Sequence, residues 1–307
     1  MRKIAVHKRP GERVGTLEGK VAVVTGAGAG LGRAEALALA GQGAHIVVND
    51  LTSEVTGVVD EIEAAGGKAL HVTGDISDRS TADALIEAAI QHFGGLDIVV
   101  NNAGVLRDRM LFNMSDDEWD LVIRVHLRGH FLLSRNAAAY WRGRVKETGE
   151  PARASVINTA SEAFLFGAAG QPNYAAAKAG IAALTVATAR SLARYGVRAN
   201  AICPRARTAM TQDVFGPPPE VGTDALSVDH VAPFVAFLAS EAAAKISGQV
   251  FVVHGGMVTL MAPPSIEKRF DAAGTVWSPE ELASSVGEYF ADRDPARIFA
   301  ASDLLAE

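Results

Sequence analysis

The sequence predicts an α/β protein built on a doubly wound parallel sheet with helices on both faces. Three observations carry that prediction. The apolar segment Lys20–Thr25 runs into a turn of small residues, Gly26 to Gly32, and then into a helical run, Arg33–Ala40. Beyond it, apolar segments of strand length alternate with helical stretches, which implies βαβ units joined by crossovers. The composition agrees: 307 residues with 49% hydrophobic content can bury a large core, and 30 glycines with only 6% aromatics suit loops that approach a ligand closely.

Composition also excludes some functions. A net charge of −6 argues against a general nucleic-acid binder. The single cysteine, Cys203, rules out an internal disulfide and suits a reducing, cytoplasmic compartment. No apolar run approaches the ~20 residues that span a bilayer, so no membrane role is expected. No cluster of metal-ligating residues stands out. Residues 1–15 are basic without the apolar core of a secretory signal, and are read as a solvated arm. Residues 16–257 are read as the α/β domain and 258–307 as an extension.

Each element has its own signals. Small residues at a strand-to-helix turn let backbone N–H groups meet a pyrophosphate, with the helix N-terminus facing the negative charge. Gly26, Gly28, Gly30, Leu31 and Gly32 are therefore candidate nucleotide contacts. The second strand, Ala44–Val48, ends at Asn49-Asp50. Asp50 follows the turn at about the spacing, roughly 20 residues, where a carboxylate bonds the adenosine ribose. A 2′-phosphate would be repelled there, and Arg33, the nearest cation, is read as pointing away or pairing locally. That favours NAD over NADP. A helix over Glu54–Ala65 leads to a third strand, Ala69–Thr73, closed by Gly74-Asp75-Ile76. Asp75 is read either as an adenine contact, beside Ile76, or as a helix-cap carboxylate. A helix over Thr81–Phe93 precedes the fourth strand, Leu96–Val100, bounded by Asn101-Asn102-Ala103-Gly104.

Ser115 and Glu118 form a capping box, so a helix is expected from Asp116 towards Trp141. Gly143–Arg153 is polar and punctuated by Gly and Pro, and reads as a surface loop. The fifth strand is Ala154–Ile157, and an Ala-rich helix spans Pro172–Tyr195. Tyr174 and Lys178 lie one helical turn apart and share a face. An ammonium beside a phenol favours the phenolate and would bring a group that titrates near about 10 towards neutrality. Ser161 follows the fifth strand, where its hydroxyl can hold a substrate oxygen. A sixth strand, Val197–Cys203, a helix over Val228–Ser240 and a seventh strand, Gly248–Val253, complete a seven-stranded parallel sheet. Gln212–Asp229 reads either as a lid over the substrate or as an ordinary loop. In the extension, Trp277-Ser278-Pro279-Glu280-Glu281 starts a helix running to about Ala291, with a short second one near Ala296.

Taken together, T-G-A-G-A-G-L-G at Thr25–Gly32, N-N-A-G at Asn101–Gly104, Ser161 and Y-A-A-A-K at Tyr174–Lys178 resemble the short-chain dehydrogenase/reductase family over residues 15 to 257. The resemblance implies a Rossmann-type catalytic domain, a nicotinamide cofactor and Ser–Tyr–Lys hydride-transfer chemistry. Asn102, Ala103, Gly104, Tyr174, Lys178, Pro204 and Thr208 become expected cofactor contacts. Pairing of the Pro172–Tyr195 helix with the one before it implies a homodimer or homotetramer. The chain departs from the family at two points. His126, in V-H-L-R-G, stands where an asparagine usually completes the proton relay, and either replaces it or is a hydrogen-bonded core histidine. Arg205 replaces a glycine after Pro204. The strings V-V-N-D-L, N-N-A-G-V-L-R-D-R and V-H-L-R-G-H-F are similar to the dehydrogenase domain of peroxisomal multifunctional β-oxidation enzymes and bacterial relatives. That similarity implies a small-molecule substrate, a 3-hydroxyacyl-CoA with an acyl part that can be steroid-derived. Arg107, Arg109, Arg205 and Arg207 are read either as partners for the CoA phosphates or as solvated arginines. A free hydroxysteroid is the alternative substrate, and a nucleotide sensor without chemistry the alternative function.

Overall fold

The structure, a computed structural model, describes residues 17–295 and 297–301. The arm at 1–15 and Ala296 lie outside the described residues. The strands are β1 (Val21–Thr25), β2 (His45–Asp50), β3 (Lys68–Thr73), β4 (Ile98–Asn101), β5 (Ala154–Thr159), β6 (Val197–Pro204), β7 (Val250–His254) and β8 (Met257–Leu260). The helices of the first half are α1 (Gly30–Gly41), α2 (Val55–Ala64), α3 (Arg79–Phe93), α4 (Asp116–Ile123) and α5 (Gly129–Thr148). Those of the second half are α6 (Ala163–Phe166), α7 (Pro172–Leu192), α8 (Gln212–Phe215), α9 (Ala232–Ala239), α10 (Pro279–Leu282) and α11 (Glu288–Ala291).

One sheet of order β3-β2-β1-β4-β5-β6-β7-β8 runs through the domain. Strands β1 to β7 pair in parallel, and their central members are buried on both faces. Helices α1, α2 and α9 pack on one face through Leu39, Val58, Ile62 and Leu238. Helices α3, α5 and α7 cover the other through Leu85, Leu132, Trp141 and Ala189.

Three details differ from the sequence reading. An eighth strand, β8, returns antiparallel on β7 with His254 opposite Met257. Gly255-Gly256 is therefore a two-residue hairpin loop, with Gly255 at φ 51, rather than the end of the sheet. Helix α5 continues to Thr148, where Gly149 adopts φ 75 and its N–H closes on the Val145 carbonyl at 2.9 Å. The loop is thus only 149–153, because an exposed helix tolerates Gly143 at a cost of about 1 kcal/mol. The third difference separates α4 from α5: Arg124–Arg128 forms a π-helical turn.

The capping boxes form as expected, Ser115 with Glu118 and Ser278 with Glu281. The extension carries helix from Pro279 to Ala291, broken by one π turn, and among the described residues no helix follows it. Its end returns to the domain, where the Ala301 N–H donates to the Leu165 carbonyl of α6 at 2.7 Å. No helix among the described residues is long and apolar enough to cross a membrane.

Candidate active site

The strand order reverses between β1 and β4, and the loops leaving β1, β4, β5 and β6 there enclose one cleft. Such a crevice, outside the carboxyl ends of parallel strands, is where open α/β sheets bind ligands. Its outer part has a volume of about 270 Å³ and is lined by Gly26, Gly30, Leu31, Asp50, Asp75, Ile76, Asn102, Ala103, Gly104 and Thr208. Gly28 and Gly32 are not on this wall but shape it. The Gly28 N–H donates to Asp50 Oδ2 at 2.9 Å. A Cβ on Gly32 would stand 2.2 Å from the Gly26 carbonyl oxygen, so the turn closes only on glycine. Helix α1 starts at once, and no side chain caps it. Its first amides thus remain to hold an anion. Asp50 also accepts from the Leu51 N–H at 2.7 Å, and Asp75 from the Ser77 N–H at 2.8 Å. Arg33 is bound by Glu61 of α2, so it pairs locally. A glycine cradle, uncapped helix amides and an acidic far wall together fit a dinucleotide.

The inner part, about 90 Å³, shares Leu31, Asn102, Gly104 and Thr208 with the outer one. Its walls bring together His126, Ser161, Tyr174, Lys178 and Pro204. The first turn of α7 delivers Tyr174, and the next delivers Lys178. Asn173, fully buried, fixes that turn: its side-chain carbonyl accepts from the Tyr174 N–H at 2.7 Å. Its amide donates to the Arg107 and Glu118 carbonyls at 3.0 and 3.2 Å. Ser161 faces the Tyr174 phenol across the inner cleft, and its Oγ accepts from the Ala163 N–H at 3.2 Å. Lys178, only 2% exposed, donates from Nζ to the Thr159 carbonyl at 2.6 Å and lies 5.3 Å from the Tyr174 ring centroid.

The electrostatics correct one expectation. Burial pushes the Tyr174 phenol up to about 12, against the lowering effect of Ser161, rather than Lys178 drawing it down. Burial also lowers Lys178 to about 7, so the lysine itself is poised near neutrality. With both groups dehydrated, the ionised form of each is disfavoured.

His126 occupies the π turn, a helical distortion frequent at functional sites. It is buried, and its ring meets that of Tyr174 edge-on at 5.2 Å. Nε2 lies 3.0 Å from the Val105 amide nitrogen and 2.8 Å from the Val105 carbonyl oxygen, while Nδ1 has no protein partner. Burial and the nearby Lys178 hold the ring well below its ordinary pKa, hence neutral. Gly104 makes room for it, since a Cβ there would stand 2.3 Å from Cε1.

The four arginines divide. Arg107 is exposed, with its guanidinium on the Leu106 carbonyl, and Arg109 pairs with Glu118 at 2.9 Å. Arg205 and Arg207 are not solvated. Arg205 is forked onto Glu162, while Arg207 holds Asp224 and the Phe215 and Gly216 carbonyls, fastening the 215–224 segment. Sequence reasoning also missed a buried network behind the site. Asn101 donates to Asn158 at 2.8 Å and to Ser134 at 3.1 Å, and Asn158 donates to Thr185 at 2.8 Å. Only the positions of Asn101 and Asn158 near strand ends hinted at it.

The family described as short chain dehydrogenase matches residues 20–217. The chain belongs to that family. It is 61% identical over 301 residues to hydroxyacyl-CoA dehydrogenase ChsB1 of Mycobacterium tuberculosis, covering 95% of each chain. It is 40% identical over 251 residues to the peroxisomal hydratase-dehydrogenase-epimerase of Neurospora crassa, covering 78% of this chain and 27% of that protein. A crystal structure of a short chain dehydrogenase from Mycobacterium avium superposes with a TM-score of 0.82 at 43% identity, covering 92% of this chain and 98% of that one. This short-chain dehydrogenase is thus an oxidoreductase of CH–OH groups that works with a nicotinamide cofactor.

Proposed function

We propose that the chain is a cytoplasmic, NAD-linked 3-hydroxyacyl-CoA dehydrogenase, working as a homodimer or homotetramer. Residues 16–257 form its catalytic domain, preceded by 1–15 and followed by the extension 258–307. The observation that carries the reaction is the meeting of the Ser161 hydroxyl, the Tyr174 phenol and the Lys178 ammonium at the inner end of a glycine-cradled cleft.

The glycine turn, Asp50, Asp75, Asn102 and Thr208 would hold the dinucleotide, which when bound supplies the hydride acceptor or donor. In oxidation, the Tyr174 oxygen takes the substrate hydroxyl proton as its own phenolic proton passes towards neutral Lys178; in reduction, the phenol gives its proton to the carbonyl oxygen and regains one from the Lys178 side. Ser161 donates a hydrogen bond to the same oxygen, where charge develops and a donor helps most. Lys178 sits against the phenol and exchanges a proton near neutral pH. His126, engaged by Val105 through Nε2, keeps Nδ1 to hold a relay water. NAD is supported by the Asp50 carboxylate on the outer wall and by the pairing of Arg33 with Glu61.

The substrate class rests on similarity to a hydroxyacyl-CoA dehydrogenase along nearly the whole chain. Arg107 remains as a cation for the CoA phosphates, and Arg109 joins it only by leaving Glu118. Because Arg205 and Arg207 are held in ion pairs, a free hydroxysteroid, needing no cationic rim, is the second reading. The test compares a 3-hydroxyacyl-CoA, its pantetheine thioester and a free hydroxysteroid by absorbance at 340 nm with NAD and NADP. The CoA ester with NAD should give the highest kcat/KM. Equal turnover of the pantetheine form would remove the arginine argument, and a preference for the sterol would favour the second reading.

A further inference from the structure

We propose that Glu162 and Arg205 are positioning residues for Ser161, an ion pair that fixes the serine hydroxyl beside the Tyr174 phenol. The inference rests on the assignment of Ser161 to the substrate oxygen.

The geometry is a fork. Arg205 Nε meets Glu162 Oε2 and Nη2 meets Oε1, both at 2.7 Å. Parallel bonds of this kind are strong and fix orientation as well as distance. The pair is largely withdrawn from water, with side-chain exposures of 9% for Glu162 and 17% for Arg205, so solvent screens it little. Neither residue is on the wall of the inner cleft, which Ser161 lines. Any effect on the reaction must therefore pass through a neighbour.

That neighbour is Ser161, because of how it is suspended. It follows β5, whose last residue pairs with Ile202 of the parallel strand β6. On one side of the serine, the Ala160 N–H donates to the Ile202 carbonyl at 2.7 Å. On the other, Glu162 opens α6, with its carbonyl accepting from the Leu165 N–H at 2.8 Å. That helix is a single turn, too short to be rigid by itself. The Glu162 carboxylate ties its start back to Arg205, whose own N–H donates to the Val253 carbonyl of β7 at 2.9 Å. Ser161 is thus bracketed by two attachments to the sheet, the backbone bond before it and the ion pair after it. Arg205 stands where the family resemblance leads one to expect glycine. The fork gives that departure a physical reason, since glycine offers no side chain to hold α6.

Hydride and proton transfer are sensitive to small misplacements, about 1 Å costing up to ~100-fold. The test uses Arg205→Lys, which keeps a cation but loses the fork, and Glu162→Gln, which keeps the shape but loses the charge. Each should lower kcat by about 10-fold or more, with KM for NADH changed less than about twofold, as measured with acetoacetyl-CoA and the full-length enzyme. The deciding measurement repeats both in a Ser161→Ala background. If the pair acts through the serine, the further loss there should vanish. A merely structural role would give the same fractional loss in both backgrounds, or a falling proportion of NADH-binding protein, and either result overturns the proposal. A second readout needs no turnover: the 13C shift of the Tyr174 Cζ at neutral pH. Arg205→Lys should move it in the direction that Ser161→Ala does, and add nothing in the Ser161→Ala protein. An unmoved resonance in Arg205→Lys would refute the idea even if acetoacetyl-CoA proved not to be a substrate.

Discussion

Two nitrogens of one imidazole explain how a histidine can stand where the family resemblance leads one to expect an asparagine. Nε2 of His126 is occupied by the Val105 backbone, and Nδ1 is buried without a protein partner. A ring of this kind offers one fixed and one available polar atom, as an amide does. Neutrality is assured by burial, so it does not compete with Lys178 for charge. His126→Ala should lower kcat by about tenfold or more, and His126→Asn should recover much of that loss. Unchanged turnover of His126→Ala across pH 6 to 9 would leave the residue a core histidine. At this scale the sequence was readable where chemistry dictates residue type. Tyr174 and Lys178 are suggested by their spacing of one helical turn and Asp50 by its place after the glycine turn, but with Ser161 they gain weight only from the motifs that carry the family resemblance. Glu162 and Arg205 are not suggested at all, because a fork between residues 43 positions apart, each just past a different strand, leaves no pattern in the chain.

Among the elements, the strand–turn–helix from β1 to α1 is the most constrained. Its glycines serve close packing as much as ligand contact, and Gly32 shows this best. A Cβ there would meet the Gly26 carbonyl at 2.2 Å and the Asn102 amide at 2.5 Å. Gly32→Ala should therefore weaken NADH binding by roughly tenfold or more, about 1.4 kcal/mol, as read by fluorescence titration. An unaltered Kd would show that the turn relaxes without disturbing the cleft. The elements misread from sequence share one cause. Glycine was taken as punctuation at Gly143 and at Gly255-Gly256, whereas the first sits inside α5 and the second joins β7 to β8. Whether a glycine ends an element or is carried within it depends on exposure and on the returning strand, which local composition does not contain. The π turn at Arg124–Arg128, which carries the buried His126, likewise has no signal in local composition.

Across the whole molecule, the core holds a carboxyl group that no part of the mechanism uses. Glu35 of α1 is fully buried, neither carboxylate oxygen has a partner, and burial raises its pKa from 4.5 to about 8. The protonated acid is the form the fold accommodates. Its contribution is therefore complete below about pH 4.5, declines as pH rises, and is lost by about pH 8. The slope is at most about 1.4 kcal/mol per pH unit. Glu35→Gln should be more stable than the parent by a few kcal/mol at pH 8 and about equal at pH 4.5, judged from urea midpoints. A difference independent of pH would mean that the carboxyl finds a partner or water in solution.

The sheet's larger task is to gather residues far apart in the chain. β1 supplies the nucleotide turn, β4 the Asn102–Gly104 wall, β5 the serine and α7 the tyrosine and lysine, all at one edge. Tyr174→Phe tests that gathering most directly, because it removes one oxygen and leaves the packing. Turnover at 340 nm should fall by about 10²–10⁴-fold while NADH binding stays within about twofold of the parent. A variant that kept more than about a tenth of its turnover would contradict the assignment of proton transfer to this phenol.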